Sequence, residues 1–301
     1  MTDAGKADVS WASALAASRM PRREVLRLGD GCQTSVFVHA PAGSPRRLPV
    51  LYVHGIQSHP GWFAGSAAAM AGAGHQVFQV TRRGSGDGAQ ARGDAKSAGQ
   101  LLEDVQEACQ FALTGAGGDR LHLVGVSWGG KLLAAYAAHP RRTVQVASLT
   151  LVAPGIVPAV DVPLEAKLAI VLSLLVAPHR RFDIPLSDVE LFTDNEAMRE
   201  YLRRDPLRLR RATARFLYAS RRLDAILRAR PSGSLSMPTT LMLARRDRII
   251  NNRATLQEVQ RLAGGKASVI EFDAAHTLEF EPHVEPFHQA LCSALMRGES
   301  S

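Results

Sequence analysis

The chain has 301 residues, of which 46% are hydrophobic and 21% are charged. This is the composition of an ordinary globular protein, so disordered and fibrous classes are excluded. The formal net charge is +8 and is carried mainly by arginine. It favours either solubility or attraction to an anionic partner: an anionic lipid surface, an acidic carrier protein or a charged substrate. Nucleic acid is not expected as a partner, because no recognisable nucleic-acid-binding module accompanies the charge.

The three cysteines, Cys32, Cys109 and Cys292, lie far apart in the sequence. This spacing predicts neither a disulfide framework nor a cysteine metal site, and it suits a reducing compartment. No apolar run reaches the roughly 18–20 residues that cross a bilayer; the longest, Leu168–Ala177, is about half that length. The start of the chain also lacks the pattern of a secretory signal. We therefore expect a cytoplasmic protein without a transmembrane segment.

After an N-terminal tail (residues 1–22), short apolar runs alternate with helical patterns. Arg23–Leu28 and Gln33–Ala40 predict an antiparallel hairpin around Gly29-Asp30-Gly31. From residue 48 the alternation predicts an α/β fold with a mostly parallel sheet flanked by helices. Its predicted strands are Leu48–His54, His75–Thr81, Leu121–Ser127, Ala147–Ala153, Thr239–Ala244 and Ser268–Phe272. Its predicted helices are Trp62–Ala73, Ala98–Thr114, Lys131–Ala138, Arg253–Leu262 and Val284–Met296.

Residues 156–236 interrupt this alternation, because they contain no convincing strand. They predict a helical cap inserted into a core of residues 23–155 and 237–301. Ligands bind at the carboxyl edge of open α/β sheets, and the cap is expected to cover that edge. The predicted cap helices are Leu164–Val176, Asn195–Arg204, Leu207–Ala219 and Leu223–Ala229.

The strongest local signal is an apolar strand, then Gly-x-Ser-x-Gly, then a helix, over residues 121–136. This pattern is typical of a nucleophile elbow, in which a strained turn raises the serine hydroxyl above the sheet. Gly125 and Gly129 have no Cβ, so strand and helix can approach each other closely. Ser127 is therefore the candidate nucleophile. The backbone N–H of Trp128, at the start of the helix, is a candidate donor to the oxyanion.

A nucleophile elbow needs a second backbone donor, from the loop that follows an earlier strand. Ile56, in the sequence Val53-His54-Gly55-Ile56 at the end of a buried strand, is placed to supply it. The histidine at position 54 is expected to brace this loop. It precedes the serine, whereas the fold orders its triad as serine, acid and histidine.

The acid and the base of a triad should each follow a later strand. Asp247 comes just after Thr239–Ala244, and the three arginines beside it are expected to keep it ionised. His276 follows Ser268–Phe272, at the loop expected for the general base. Asp273 is a poorer choice of acid, because it lies on the same strand end as His276. Glu271 and Asp224 are still weaker candidates for the triad acid. His283 and His288 are expected at the surface.

With these pieces in place, the sequence resembles the α/β-hydrolase superfamily. More narrowly, it is similar to the monoacylglycerol lipase and lysophospholipase branch, which overlaps with the serine aminopeptidase type of hydrolase. The resemblance covers roughly residues 45–296 and rests on the elbow and on His54-Gly55-x-x-x-His59, Arg83-Gly84-Ser85-Gly86, Arg92-Gly93, Asp247 and His276. It implies hydrolysis of a carboxylic ester through a serine acyl-enzyme, with no metal and no organic cofactor.

Two departures from that branch concern the site. Thr81-Arg82 stands where the family has an aspartate before the arginine-glycine loop, and Trp128 stands where methionine is common. The indole is expected either to narrow the acyl pocket or to support it from behind. Trp62 and Phe63, which follow the oxyanion loop, are predicted to line the same substrate site.

The cap has too few acids to pair its arginines, since Glu200, Asp205 and Asp224 are the main acids near them. These arginines form either a solvated face or a docking surface for a phosphate-bearing partner. In the second case, replacing Arg210, Arg211 and Arg215 would impair an anionic or carrier-bound substrate and spare a small neutral ester. The cap arginines are Arg199, Arg203, Arg204, Arg208, Arg210, Arg211, Arg215, Arg221, Arg222, Arg228 and Arg230.

Several functions remain open from the sequence. The first is a serine hydrolase that cleaves a medium or long acyl ester, such as a monoacylglycerol or a lysophospholipid. The second is a thioesterase or acyltransferase that uses the same triad on an acyl group bound to coenzyme A or to an acidic carrier protein. An amidase would need an acidic site for a peptide amino terminus, which the basic cap opposes. A non-catalytic binding protein would not need the three triad residues.

Overall fold

The computed structural model describes residues 20–41, 47–88 and 91–299. Most of the predicted N-terminal tail, residues 1–19, lies outside the described residues. The tail was predicted to reach residue 22, but Arg22 already belongs to the first strand, because its backbone pairs with that of Val38.

Eight strands form one sheet. They are β1 (Arg22–Arg27), β2 (Gln33–His39), β3 (Val50–Val53), β4 (Val77–Val80), β5 (Arg120–Val126), β6 (Gln145–Val152), β9 (Thr239–Ala244) and β10 (Ser268–Phe272). Their order in the sheet is β1-β2-β4-β3-β5-β6-β9-β10. β1 and β2 are antiparallel to their neighbours and the remaining strands are parallel. The predicted α/β fold with an antiparallel edge is confirmed.

Eight α-helices accompany the sheet in the described part of the chain. They are α1 (Ala64–Gly72), α2 (Ala98–Ala116), α3 (Trp128–Ala137), α4 (Leu164–Val176), α5 (Glu196–Arg204), α6 (Ala214–Arg228), α7 (Asn252–Leu262) and α8 (Glu285–Glu299). Every residue of β3 and β4 is buried, which requires packing on both faces of the sheet. Helix α1 packs against α8, and α2, α3 and α6 pack together.

The segment between β6 and β9 departs from its prediction in two ways. A short antiparallel pair, β7 (Arg181–Asp183) and β8 (Arg211–Thr213), forms where no strand was predicted. Helix α6 is continuous, although two helices were predicted, and it begins only at Ala214 because the Thr213 side chain caps it. Residues 220–222 contain no glycine or proline that would interrupt a helix. Below, residues 156–236 are called the cap; that they form a separate unit stays a prediction.

Helix α4 is apolar on nearly all sides, yet most of it is exposed. It buries Ile170 and Ser173, while one face presents large apolar side chains to solvent: Leu164, Leu168, Val171, Leu172, Leu175 and Val176. At 13 residues the helix is too short to cross a bilayer. Within the described residues, no helix combines the length and the hydropathy that a membrane span requires.

Candidate active site

Ser127 occupies the sharp turn between β5 and α3. Its backbone has φ 53° and ψ −122°, a left-handed conformation that is strained for a residue with a side chain. Neighbouring backbone groups hold it there: Ser127 N–H donates to Val152 O at 2.9 Å, and Ser127 O accepts from Gly155 N at 2.8 Å. The turn therefore sets the direction of the serine side chain before any substrate binds.

The two glycines of the elbow have no room for a side chain. A Cβ on Gly129 would lie 2.5 Å from the carbonyl oxygen of Val53 and still closer to that of His54. A Cβ on Gly125 would lie 2.7 Å from the Cα of Gly130. Because these neighbours are backbone atoms, they cannot move aside as a flexible side chain could. The spacing of Gly-x-Ser-x-Gly is therefore a packing requirement of this turn.

The structure brings the three predicted triad residues into one hydrogen-bonded row. His276 Nε2 lies 2.9 Å from Ser127 Oγ, and His276 Nδ1 lies 2.7 Å from Asp247 Oδ2. The other carboxylate oxygen of Asp247 accepts the backbone N–H groups of Ile249 at 2.8 Å and Ile250 at 3.0 Å. The Asp247 side chain is fully buried. This arrangement can draw the serine proton onto His276.

The three arginines beside Asp247, which were predicted to keep it ionised, face other acids. Arg245 pairs with Glu271, and Arg246 pairs with Asp273. Arg248 faces Asp194. The partners of Asp247 are His276 and two backbone N–H groups. Asp273, the alternative candidate for the triad acid, is exposed, and its carboxylate pairs with Arg246.

The structure places Trp62 and Phe63, which were predicted to line the substrate site, away from the cavity in front of Ser127. Both are buried in the core, and neither is among the described residues that line the cavity in front of Ser127. The Trp62 indole packs edge-on against Phe192, whose ring in turn packs edge-on against His276. Trp62 Nε1 donates to Asp205 Oδ2 at 2.8 Å. Trp62 therefore packs behind the Phe192 ring that contacts His276.

The peptide group between Gly55 and Ile56 is oriented by contacts to its carbonyl oxygen, Gly55 O. Gly55 O accepts from Arg82 Nε at 3.2 Å and lies 2.9 Å from His54 Nδ1. In a trans peptide the C=O and the N–H point in opposite directions. The Ile56 N–H consequently points away from Arg82, and the Ile56 side chain lines the same cavity as Ser127. The Trp128 N–H is in the first turn of α3, where it has no acceptor within the helix.

His54 has the bracing role that the sequence predicted for it. Its Nε2 accepts from the Arg82 backbone N–H at 3.3 Å and lies 3.2 Å from Ser85 Oγ. Burial and the nearby Arg82 guanidinium hold the pKa of His54 well below its usual value. The ring is therefore neutral and accepts hydrogen bonds at Nε2.

Arg82 was not identified as a functional residue from the sequence, although it is one of the departures from the family pattern. Its guanidinium donates to the carbonyl oxygens of Gly55 and Ile56. It also lies 4.8 Å from the centre of the Trp128 ring and 5.5 Å from that of Phe216. One buried cation thus contacts the loops that carry both candidate oxyanion donors.

We expect Arg82→Met to lower kcat about tenfold to a hundredfold and to change KM little. The variant keeps the length of the side chain but loses the donors that orient the Ile56 peptide, and misplacing one oxyanion donor costs up to about 10²–10³ in kcat. Steady-state kinetics on a soluble ester would measure this. Arg210→Met is the matched control, because Arg210 is exposed and donates to Arg203 O. An equal rise in KM for both variants would contradict the proposal that Arg82 positions the Ile56 N–H.

A largely apolar cavity of about 330 Å³ opens in front of Ser127. Its apolar wall comes from the oxyanion loop, the elbow, the cap and the loop after Asp247: Ile56, Trp128, Val160, Ile170, Val171, Ile184, Leu186, Leu217, Ile249 and Ile250. Most of these side chains belong to the cap, so the cap shapes the cavity. Such a space suits an acyl chain better than a polar or charged group.

One side of the cavity is polar. Lys131 Nζ lies 2.9 Å from Asp224 Oδ1 and 3.1 Å from Ser220 Oγ, and this oxygen also accepts from Trp128 Nε1 at 2.8 Å. Burial lowers the pKa of Lys131, while the Asp224 carboxylate opposes that effect. These bonds tie the elbow helix α3 to the cap helix α6. The Trp128 indole lines the cavity and is also stacked on Phe216.

The cap arginines have more acidic partners than the sequence suggested. Arg215 pairs with the buried Asp94, and Arg211 pairs with Asp183. Other partners are Asp194, Glu196, Glu200 and Asp224. Replacing Arg215 would break a structural ion pair between the cap and the core, so it is a poor probe of docking.

No curated protein sequence matches this chain significantly. A family model described as "Serine aminopeptidase, S33" matches residues 44–283, which is most of the chain. The chain belongs to this family of hydrolases. It is thus an enzyme of the serine hydrolase class, as predicted.

Many solved structures share the fold of this S33-family chain. The monoacylglycerol lipase of Paleococcus ferrophilus is 20% identical, with a TM-score of 0.74, over 87% of this chain and 99% of the lipase. A soluble variant of the Saccharomyces cerevisiae monoglyceride lipase, in complex with a substrate analogue, is 17% identical, with a TM-score of 0.80, over 94% and 96%. A carboxyl esterase of Bacillus coagulans, in complex with glycerol, is 14% identical, with a TM-score of 0.77, over 92% and 98%. At these identities the likeness shows the fold alone.

Proposed function

We propose that this chain hydrolyses carboxylic esters of medium or long acyl chains. The observation that carries the proposal is the position of the Ser127–His276–Asp247 row at an apolar cavity whose walls also include Ile56 and Trp128. A nucleophile with its base, two candidate oxyanion donors and an apolar binding space are the parts that ester hydrolysis requires.

In the first half of the reaction, Ser127 Oγ attacks the ester carbonyl carbon while His276 Nε2 takes the serine proton. The negative charge that develops on the carbonyl oxygen is stabilised by the N–H groups of Ile56 and Trp128. Asp247 holds Nδ1–H of His276 and stabilises the imidazolium. When the tetrahedral intermediate collapses, His276 returns the proton to the leaving alcohol and Ser127 retains the acyl group.

In the second half, water replaces the alcohol. His276 takes a proton from the water as it attacks the acyl-serine ester, and the same two N–H groups stabilise the oxyanion again. Collapse of this intermediate releases the carboxylic acid and returns the proton to Ser127 Oγ. The triad is restored, so the cycle requires no cofactor.

The apolar wall favours a fatty acyl group as the part of the substrate that enters the cavity. Monoacylglycerols and lysophospholipids combine such a chain with one ester and a polar head group. Two of the structural relatives are named as lipases of monoacylglycerol or monoglyceride, which is consistent with this class. The proposed substrate is therefore a single-chain acyl ester.

The test combines active-site labelling with a series of substrates. A fluorophosphonate probe should modify the chain once, and peptide mass spectrometry should place the adduct on Ser127. p-Nitrophenyl esters of increasing chain length should be hydrolysed with a maximum at medium or long chains. Absence of any adduct, or an adduct at another serine, would overturn the proposal.

Adding thioester substrates to the same experiment distinguishes an ester hydrolase from a thioesterase or acyltransferase. Labelling at Ser127 with negligible turnover of every ester, but with cleavage of acyl-coenzyme A or a carrier-bound acyl group, would favour that alternative. Release of free acid identifies a thioesterase, and transfer of the acyl group to an added alcohol identifies an acyltransferase.

We expect Ile170→Trp to shift the preferred ester to a shorter acyl chain. Ile170 is buried and lines the cavity, so a larger side chain there removes space from the acyl group. Leu172→Trp is the matched control: it lies on the same helix, is exposed, and is not among the described residues lining the cavity. The ratio of kcat/KM for long and short p-nitrophenyl esters measures the effect. An identical ratio in both variants would show that the acyl chain binds elsewhere.

We propose an anionic lipid surface, in preference to a carrier protein, as the place where substrate is met. Helix α4 contributes Ile170 and Val171 to the cavity wall and presents an apolar face to solvent beside it. An exposed apolar face next to a binding cavity is typical of a surface that meets lipid. The positive net charge of the chain adds an attraction to anionic head groups.

We expect the double variant Leu168→Ser/Leu175→Ser to bind phosphatidylglycerol vesicles at least tenfold more weakly. Both leucines are exposed on α4, and each would contribute about 1.5–3 kcal/mol if it were fully buried. The substitutions leave the charge unchanged, so any loss is apolar in origin. Val25→Ser, at an exposed position of β1, is the control. Vesicle sedimentation measures binding, and unchanged binding of the double variant would argue against a lipid surface.

A further inference from the structure

A second group of chemically active side chains lies at the edge of the sheet opposite Ser127. His75 precedes β4, and His122 lies near the start of β5, whereas Ser127 follows the end of that strand. Both imidazoles are fully buried. Their ring centres are 5.5 Å apart and the planes are at 80°. The carboxylate of Glu299, at the end of α8, lies close to both rings. The reaction proposed above makes no use of these residues.

The Nδ1 atoms of the two histidines are already engaged. His75 Nδ1 lies 2.8 Å from the carbonyl oxygen of Leu48, which can only accept, so Nδ1 carries the proton. His122 Nδ1 lies 2.8 Å from Ser148 Oγ. Among the described residues, neither Nε2 atom has a hydrogen-bond partner. A neutral imidazole that carries its proton on Nδ1 presents a lone pair at Nε2, which is the form that binds a metal ion.

A buried nitrogen without a hydrogen-bond partner is costly, because it has lost its contact with water. Here two such atoms and a carboxylate oxygen of Glu299 lie within 4.8 Å of one another. His122 Nε2 is 3.7 Å from Glu299 Oε1. Neighbouring ligands of a tetrahedral zinc ion are separated by roughly 3.3–3.4 Å, given bonds of about 2.0–2.1 Å. Small movements of these side chains would bring the three atoms to that spacing.

The groups around the three side chains are those expected behind metal ligands. A metal-binding histidine usually donates its second ring N–H to a carbonyl or another polar group, which fixes its orientation. Leu48 O and Ser148 Oγ are positioned to do this. Glu299 is oriented in the same way, since it accepts from Arg47 NH1 at 2.9 Å and from Leu48 N at 3.0 Å.

We propose that His75 Nε2, His122 Nε2 and a carboxylate oxygen of Glu299 bind one divalent transition-metal ion, with Zn²⁺ as the best match to this ligand set and water as the fourth ligand. The ion joins the end of α8 to the strands β4 and β5. Its role is structural, because the site lies at the opposite edge of the sheet from Ser127. The proposal is independent of the substrate and mechanism argued above.

The experiment uses the untagged full chain after chelator treatment and dialysis. Isothermal titration with zinc chloride should give one site per chain. Zinc at about one hundred times Kd should raise the Tm by roughly 4 °C. Co²⁺ in place of zinc should produce the visible absorption bands of a tetrahedral site. These readouts do not depend on ester hydrolysis, which zinc could affect through His276.

Glu299→Gln is the principal variant, because it keeps the shape of a partly exposed side chain at the end of the last helix. It should lower zinc affinity at least tenfold and reduce the thermal shift. His122→Gln should abolish both effects, and circular dichroism checks that it folds. His283→Gln, at an exposed histidine outside the cluster, should bind like the wild type. Absence of zinc binding by the wild type, or equal binding by Glu299→Gln, would overturn the proposal.

Discussion

Replacing Ser127 by alanine is expected to lower kcat for a p-nitrophenyl ester by about 10⁵–10⁶-fold, as loss of the nucleophile does in other serine hydrolases. Without Oγ no acyl-enzyme can form, and His276 has no serine proton to accept. The backbone donors and the cavity remain, so residual turnover should stay above the rate in water. The fold should persist, because the turn is held by backbone hydrogen bonds of Ser127 that alanine keeps.

Burst kinetics and fluorophosphonate labelling provide the readout, and both should disappear in Ser127→Ala. Ser58→Ala is the matched control. Ser58 is a buried serine near Ser127: Ser58 Oγ and Ser127 Cβ would each lie 3.2 Å from a Cβ added to Gly55. The Ser58 hydroxyl lies 3.4 Å from His54 Nδ1. This control should keep its activity within about tenfold of the wild type. Full activity in Ser127→Ala would show that another residue is the nucleophile.

Asp247→Asn is expected to lower kcat by about 10⁴-fold with little change in the fold. The Asn carbonyl oxygen can still accept from Ile249 N and Ile250 N, so the loop keeps its two backbone hydrogen bonds. The amide NH₂ then faces His276 Nδ1, which must accept. The proton of the neutral ring moves to Nε2, where it prevents His276 from taking the proton of Ser127.

Asp273→Asn is the matched control, because Asp273 is an exposed acid three residues before His276 that pairs with Arg246. It should hydrolyse esters at nearly the wild-type rate. Thermal denaturation should show both variants folded at the assay temperature. The distinguishing measurement is kcat against pH: loss of activity in Asp247→Asn should persist across the neutral range. Equal losses in the two variants would mean that the charge near His276, not the tautomer, matters.

The residues proposed for the triad illustrate what local patterns can identify. Gly125 and Gly129 bracket Ser127 between a strand and a helix, and this requirement is local to one turn. Asp247 and His276 each follow a strand of a parallel sheet, and such strand ends meet at one edge. The structure brings these three side chains within hydrogen-bond distance. Their catalytic roles stay predictions that the variants above test.

Neighbours in sequence were less reliable guides to contacts. The arginines around Asp247 were expected to lie against its carboxylate, but their long side chains reach other acids, and the carboxylate accepts from backbone N–H groups. Trp62 and Phe63 follow the oxyanion loop, yet the chain turns there and buries both rings. Proximity along the chain does not set the direction of a side chain, which depends on how the segment packs.

The sequence by itself determined the α/β fold, the order of its strands along the chain and the identity of the elbow, because each depends on a short pattern of apolar residues, glycines and turns. The tertiary structure alone decided which side chains surround the site. Arg82 reaches the Gly55 peptide across a gap of 27 residues, and cap residues far along the chain form most of the cavity wall. His75, His122 and Glu299 likewise meet only on folding, since 47 and 177 residues separate them in turn. Such contacts arise from packing between elements, which no local pattern encodes.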